Sequence, residues 1–155
     1  MACFVYEALV LFGLSLVPGI VGAIAWPHDA PPSALAAMAV RAFAFAFYGV
    51  YFVGFWSRRG QTLPMQTWRI RLETRAGTLP RAPRAIARYV SAWVWIAPPA
   101  LAAMLLQLRP GPSLALVGAW IVGYAALARL APDRQFWHDV LCGTRLVMAE
   151  KPPRA

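Results

Sequence analysis

The chain has 155 residues, 60% of them hydrophobic, and its 15 Lys and Arg against 6 Asp and Glu give a net charge of +9. So much apolar surface on so short a chain exceeds what one small water-soluble core can hide, which excludes an ordinary soluble domain and makes a bilayer the solvent for much of it. The two cysteines, Cys3 and Cys142, are too few and too far apart for a disulfide framework or a zinc site.

Four apolar runs follow one another. The first spans residues 3–26, interrupted only by Glu7; the second 34–56, with Arg41 inside it; the third 89–108; the fourth 113–130. A helix needs about 20 residues to cross a hydrocarbon core of about 30 Å, so each run predicts a membrane-spanning helix. Residues 42–47 alternate Ala and Phe as a strand would, but the run is long and lacks turn residues, which favours a helix. Pro-rich breaks, WPHDAPP (Trp26 to Pro32) and RPGP (Arg109 to Pro112), fall where turns are needed. Ala23-Ile24-Ala25 resembles a signal-peptidase site, yet no basic segment precedes the apolar run and its length suits an uncleaved span better.

The arginines set the expected orientation. Residues 57–88 carry Arg58, Arg59, Arg69, Arg71, Arg75, Arg81, Arg84 and Arg88, and the C-terminal part adds Arg129, Arg134, Arg145, Lys151 and Arg154. Only Arg41 and Arg109 fall on the other side, a bias of 13 to 2 that predicts a cytoplasmic loop 57–88 and cytoplasmic termini. On this topology both cysteines face a reducing compartment. Trp26, Trp56, Trp68, Trp93 and Trp137 lie near predicted helix ends, where amphipathic rings settle at the headgroup level. The basic loop is expected to meet anionic lipid headgroups; no recognition motif accompanies the charge, so a nucleic-acid partner is not expected.

Within the loop, Trp68 to Thr74 alternates apolar and polar residues, Ala76-Gly77-Thr78 supplies a turn, and Pro80 to Arg88 reads as a basic amphipathic approach to the third helix. Thr144 to Met148 is strand-like too and is expected to pair with Arg69 to Leu72, a patch too small to stand without helices beneath it.

Three blocks, GQTLPMQTWRIRL (Gly60 to Leu72), ARYV (Ala87 to Val90) and QFWHDVLCGTRLV (Gln135 to Val147), resemble the RDD family of bacterial membrane proteins. The resemblance implies a single membrane domain over residues 1–150, with 151–155 as a tail. The expected architecture is all-α: four transmembrane helices with a small basic cytoplasmic loop and hairpin cap, in the bacterial inner membrane. The closing aspartate of the family falls on Asp139, after His138, and the first-helix acid on Glu7, a Glu where the family usually has Asp. No arginine precedes it in MACFVYE, and Pro64 replaces the usual Gly after T-L.

Glu7 lies one to two turns into an apolar helix, where an unpaired carboxylate is costly, so it is expected to face a basic partner or to be protonated. Arg88 and Arg145 are the candidate partners, Asp139 is a second acid for the same shell, and His138 is a titrating neighbour. Glu7, Arg88, His138, Asp139 and Arg145 thus form the expected ionic cluster, either a clasp locking the first helix, loop and tail together or a proton or cation relay.

Three functional classes follow. A structural, assembly or helper component of a membrane complex leads, as a homo-oligomer or with a membrane-protein partner. Small residues four apart (Gly19 with Ala23, Ala42 with Ala46, Ala119 with Gly123) permit close helix approach, within one chain or between chains. The alternative is a proton-coupled cation (Na+/H+) transporter or accessory subunit, which the family resemblance implies for some members, although no charge besides Glu7 and Arg41 lies inside a predicted span. An enzyme is not expected. His138 and Asp139, adjacent in sequence, are expected to point apart; Cys142 with His138 is a weak pair; His28 beside Asp29 reads as a solvated loop residue. No catalytic set, metal cluster or cofactor signature is present, so none of these is expected.

Overall fold

The computed structural model describes residues 2–25, 33–131 and 135–149. The expected outer turn with His28 and Asp29, and the basic residues Arg134, Lys151 and Arg154, lie outside them. The chain divides into two compact units, Met1–Arg71 with Met148–Ala155, and Leu72–Val147.

In the first unit, α1 (Ala2–Ala25) and α2 (Ala34–Arg58) are long apolar helices, and α3 (Leu63–Thr67) is a short one packed on α1. Ser33 caps α2, its hydroxyl accepting from the Ala36 N–H at 3.3 Å. The Ala/Phe alternation of residues 42–47 is helical, as length and missing turn residues predict. At the other end the chain must enter the left-handed region to turn away, and Gly60 does so at φ 69°, its N–H donating to Phe55 O and Trp56 O, both at 3.1 Å. Thr62 then caps α3, and Pro64 occupies the first turn, where its missing N–H has no helical acceptor to lose. The Pro that departs from the family pattern is therefore accommodated as a helix starter.

The second unit begins within β1 (Ile70–Thr74), which pairs with β2 (Thr144–Met148) in a two-stranded sheet. The flanking bonds Arg75 N to Gly143 O and Ala149 N to Arg69 O show the pairing to be antiparallel. Gly143, at φ 62°, makes the turn into β2 that a side chain would strain. Gln135 extends the edge of β2 by exchanging two bonds with the Leu146 backbone, Oε1 accepting at 2.8 Å and Nε2 donating at 3.2 Å.

The expected third span is not one uniform helix. Helix α4 (Ala82–Ala92) starts seven residues ahead of the expected beginning, tightens into a 3-10 turn (Trp93–Trp95), and resumes as α5 (Ala97–Leu105). The cause is Pro98-Pro99, which removes two N–H donors from consecutive positions. The Val94 carbonyl, which a residue other than proline at position 98 would serve, accepts instead from Trp120 Nε1 at 2.8 Å. Trp120 belongs to α6 (Pro110–Leu127), which packs against α5. The expected RPGP break lies inside this helix start: Arg109 is the N-cap and Pro110 the first helical residue. A second 3-10 turn (Ala128–Leu130) and the short α7 (Trp137–Leu141) complete the unit, with Trp137 Nε1 donating to the terminal Leu127 carbonyl at 3.2 Å.

Three helical stretches, Cys3–Ala25, Ala34–Thr67 and Pro110–Leu130, are long and apolar enough to cross a membrane. Their large side chains are widely exposed, including Phe12, Ile20, Val50 and Val122 at 73%, 58%, 74% and 70%. Few residues are buried, and several of those are polar: Thr62, Thr74, Arg88, His138, Asp139 and Thr144. So much apolar surface on the outside suits a chain whose helices are solvated by lipid.

Candidate functional site

Two polar clusters stand out, one in each unit. In the first, α1 brings Glu7 and α2 brings Tyr51, while Thr62 comes from the turn leading into α3. The Tyr51 hydroxyl donates to Glu7 Oε1 at 2.9 Å and the Thr62 hydroxyl to Oε2 at 2.6 Å. Thr62 Oγ1 also accepts from the Met65 N–H at 3.4 Å, so one hydroxyl caps α3 and ties it to α1. Both carboxylate oxygens are thereby satisfied by neutral donors, not by a guanidinium, among the described residues.

In the second unit, α4 supplies Arg88, α7 supplies His138 and Asp139, α6 supplies Tyr124, and β2 supplies Thr144. Arg88 Nε donates to Asp139 Oδ1 at 2.6 Å, with Arg88 7% exposed and Asp139 wholly buried. The Thr144 hydroxyl reaches the same oxygen at 3.4 Å and the Asp139 carbonyl at 3.2 Å. Asp139 Oδ2 is buried without a hydrogen-bond partner among the described residues and lies 3.7 Å from His138 Nε2. The adjacent His and Asp side chains thus converge, where an extended backbone would have sent them apart.

His138 is held on its other side. Its backbone N–H donates to the Tyr124 oxygen at 3.2 Å, and its Nδ1 lies 2.9 Å from that oxygen. The Tyr124 oxygen and Nδ1 are thus hydrogen-bonded, either atom donating according to the ring's tautomer, while Nε2 faces Asp139. Burial pushes the imidazole down to about 4; the Asp139 charge opposes that shift and Arg88 adds to it. The ring stacks on Phe136 and Tyr124 at interplanar angles of 8° and 15°, and Trp95 packs edge-on to both of those.

Of the residues picked out from sequence, Arg88, His138 and Asp139 are brought together. Glu7 sits in the other unit with hydroxyl partners, and Arg145 is placed at 4.0 Å from Glu73 on the neighbouring strand. Cys142 Sγ lies 3.3 Å from Ser91 Oγ. Sequence reasoning missed Tyr51, Thr62, Tyr124 and Thr144. Thr62 and Thr144 lie inside the quoted blocks, after Gly60-Gln61 and after Gly143, while the two tyrosines are marked only as hydroxyls inside apolar runs, where a buried phenol needs a partner. Chemically, the second cluster neutralises a buried acid, and the first presents a carboxylate to hydroxyl hydrogens. Among the described residues no three His, Cys, Asp or Glu side chains group to hold a metal ion.

No curated protein and no solved structure shows significant similarity to the chain. The family model described as the RDD family matches residues 1–143, a stretch that takes in Glu7 and the whole Arg88–His138–Asp139 set. Apolar helices exposed to their surroundings and that match over most of the length lead to one conclusion: the chain belongs to the RDD family of membrane proteins.

Proposed function

We propose that this protein is a structural or assembly component of a membrane complex in the bacterial inner membrane. It acts without catalysis, as a four-span protein whose third span is the broken α4–α5 segment. Both termini and the basic stretch 57–88 face the cytoplasm, in contact with anionic lipid headgroups, and the protein associates with copies of itself or with another membrane protein. The positive-inside bias supports the orientation. The observation that carries the role is the buried Arg88–Asp139 pair at 2.6 Å, closed on one side by Thr144 and flanked by the stacked His138. A neutralised acid anchored by three elements holds a fold in register; a transport site has to exchange its counter-ion.

A second reading, proton-coupled cation exchange, is favoured by Glu7. It is an acid on an apolar helix whose partners among the described residues are hydroxyls, which solvate its charge without neutralising it. One experiment separates the two. Purified protein is placed in liposomes with an internal pH dye and pulsed with sodium or potassium, with Glu7→Gln and Asp139→Asn alongside. The structural role predicts no signal above empty liposomes and partners that co-purify. A saturable cation-dependent signal, lost in either variant, overturns it in favour of exchange.

A further inference from the structure

A groove of about 370 Å³ runs along the last three turns of α2, lined by Val50, Tyr51, Gly54, Phe55, Arg58 and Arg59. These positions form two neighbouring rows, 50–54–58 and 51–55–59, at the spacing of four that stacks side chains one above the other on a helix. Each row begins apolar and ends in an arginine, so the guanidiniums and the apolar wall belong to one groove, not to opposite faces. Val50 is 74% exposed, and a methyl group added at Gly54 would meet no side chain within 4 Å beyond its chain neighbours, among the described residues, which leaves the floor of the groove open. The rings of Tyr51 and Phe55 pack together at 5.1 Å between centroids and make a continuous wall. Glu7 engages the Tyr51 hydroxyl at 2.9 Å, so the ring is what Tyr51 lends to the groove. Arg58 and Arg59 are both exposed, and no ion pair among the described residues takes up either one. The Phe55 and Trp56 carbonyls beside them already accept from the Arg59 and Gly60 N–H groups, so neither guanidinium is needed to cap them.

We propose that this groove seats an anionic phospholipid, its phosphate at Arg58 and Arg59 and the upper part of one acyl chain over Gly54, between Val50 and the Tyr51–Phe55 wall. Charge complementarity selects the occupant. Two guanidiniums pair with a phosphate through charge-assisted hydrogen bonds, and a headgroup lacking an ammonium leaves them unopposed. The direction fits as well: α2 ends at the arginines, where a headgroup lies, and Val50 stands about 12 Å deeper along the helix axis, where acyl carbons lie. A phosphate in solution satisfies the arginines but leaves the apolar part of the groove bare, whereas a phospholipid satisfies both. The seat deepens the general lipid contact proposed above from a basic surface to one groove on one helix, and it rests on the protein being integral to the membrane.

The test uses the full chain in nanodiscs made from equal amounts of phosphatidylglycerol and phosphatidylcholine with the same acyl chains. The protein is released by mild delipidation and the retained lipid counted by native mass spectrometry. Retained phosphatidylglycerol is expected to exceed phosphatidylcholine several-fold, to fall to the bulk ratio in Arg58→Gln/Arg59→Gln, and to stay enriched in Arg81→Gln/Arg84→Gln, which removes the same charge elsewhere. Gly54→Leu, which fills the floor and leaves both arginines in place, is expected to lower the phosphatidylglycerol retained; an anion held by charge alone would not respond to it. Enrichment unchanged in Gly54→Leu, equal loss in the two arginine pairs, or enrichment abolished by millimolar inorganic phosphate overturns the seat and leaves the membrane reading intact. Release of the wild-type protein from carbonate-washed vesicles overturns both together.

Discussion

Two acids of this chain, Asp139 and Glu7, are held by different means. Asp139, in the second unit, is wholly inaccessible and held by a guanidinium at 2.6 Å, with a hydroxyl behind it. Glu7, in the first unit, is partly accessible and held by two hydroxyls at 2.9 and 2.6 Å. An ion pair removes net charge from a low-dielectric interior, but leaves either partner stranded if the other is removed. Hydroxyls leave the charge in place and solvate it, so removing one weakens the site without stranding a second charge. The difference teaches that one acid is held by a permanent ion pair and the other by contacts that can be changed singly.

The largest expected effect comes from breaking the permanent site. Arg88→Met leaves Asp139 buried and unpaired and should cost about 3–5 kcal/mol, seen as a large drop in thermal unfolding temperature in detergent. Adding Asp139→Leu to that variant should restore much of the loss. A double variant as unstable as the sum of the single ones would show that the pair is not the unit of stability.

Next comes pH. Because the His138 value is about 4 in the folded protein and ordinary when unfolded, its contribution is fully present above about pH 6.5 and is lost as pH falls toward 4. The total is about 3 kcal/mol at most. Unfolding temperatures taken across that range should slope for the wild type and flatten in His138→Gln. An equal slope in both would remove His138 from the account.

At the changeable site the effect should be smaller. Glu7→Gln keeps one carbonyl acceptor and loses the other oxygen, a cost of about 1–2 kcal/mol, and Thr62→Val should cost a similar amount because it also uncaps α3. Unchanged stability in Glu7→Gln, together with lost cation flux, would turn this site from a support into a coupling group. Smallest of all, Glu73→Gln should alter stability by less than about 1 kcal/mol, since its contact with Arg145 is 4.0 Å long and on the more exposed side.

Much of this was legible in the residues. The first, second and fourth apolar runs became helices close to their expected bounds, because lipid demands length and composition and both are linear properties of the chain. Pairing of Thr144 to Met148 with the strand after Trp68 was readable from period-two alternation, displaced by only a residue or two. The third run misled because hydropathy does not register a missing donor: Pro98-Pro99 is apolar and yet breaks the ladder. Glu7 was expected to seek an arginine because charge is visible in a sequence and hydroxyl geometry is not. Tyr51, 44 residues away, and Thr62, 55 away, become its neighbours only when α1, α2 and the turn before α3 pack together.

By itself, then, the sequence determined the solvent this protein requires, where its long apolar helices α1, α2 and α6 run, and which acids need company, since each of these depends on how much apolar or charged surface a segment carries. Only the tertiary structure decided which company each acid keeps. Partner choice depends on distances of a few tenths of an ångström between groups far apart in the chain. It also decided that Trp120 would repair the carbonyl opened by Pro98, because a backbone acceptor on a lipid-facing helix has no water to turn to, and here the donor came from another helix.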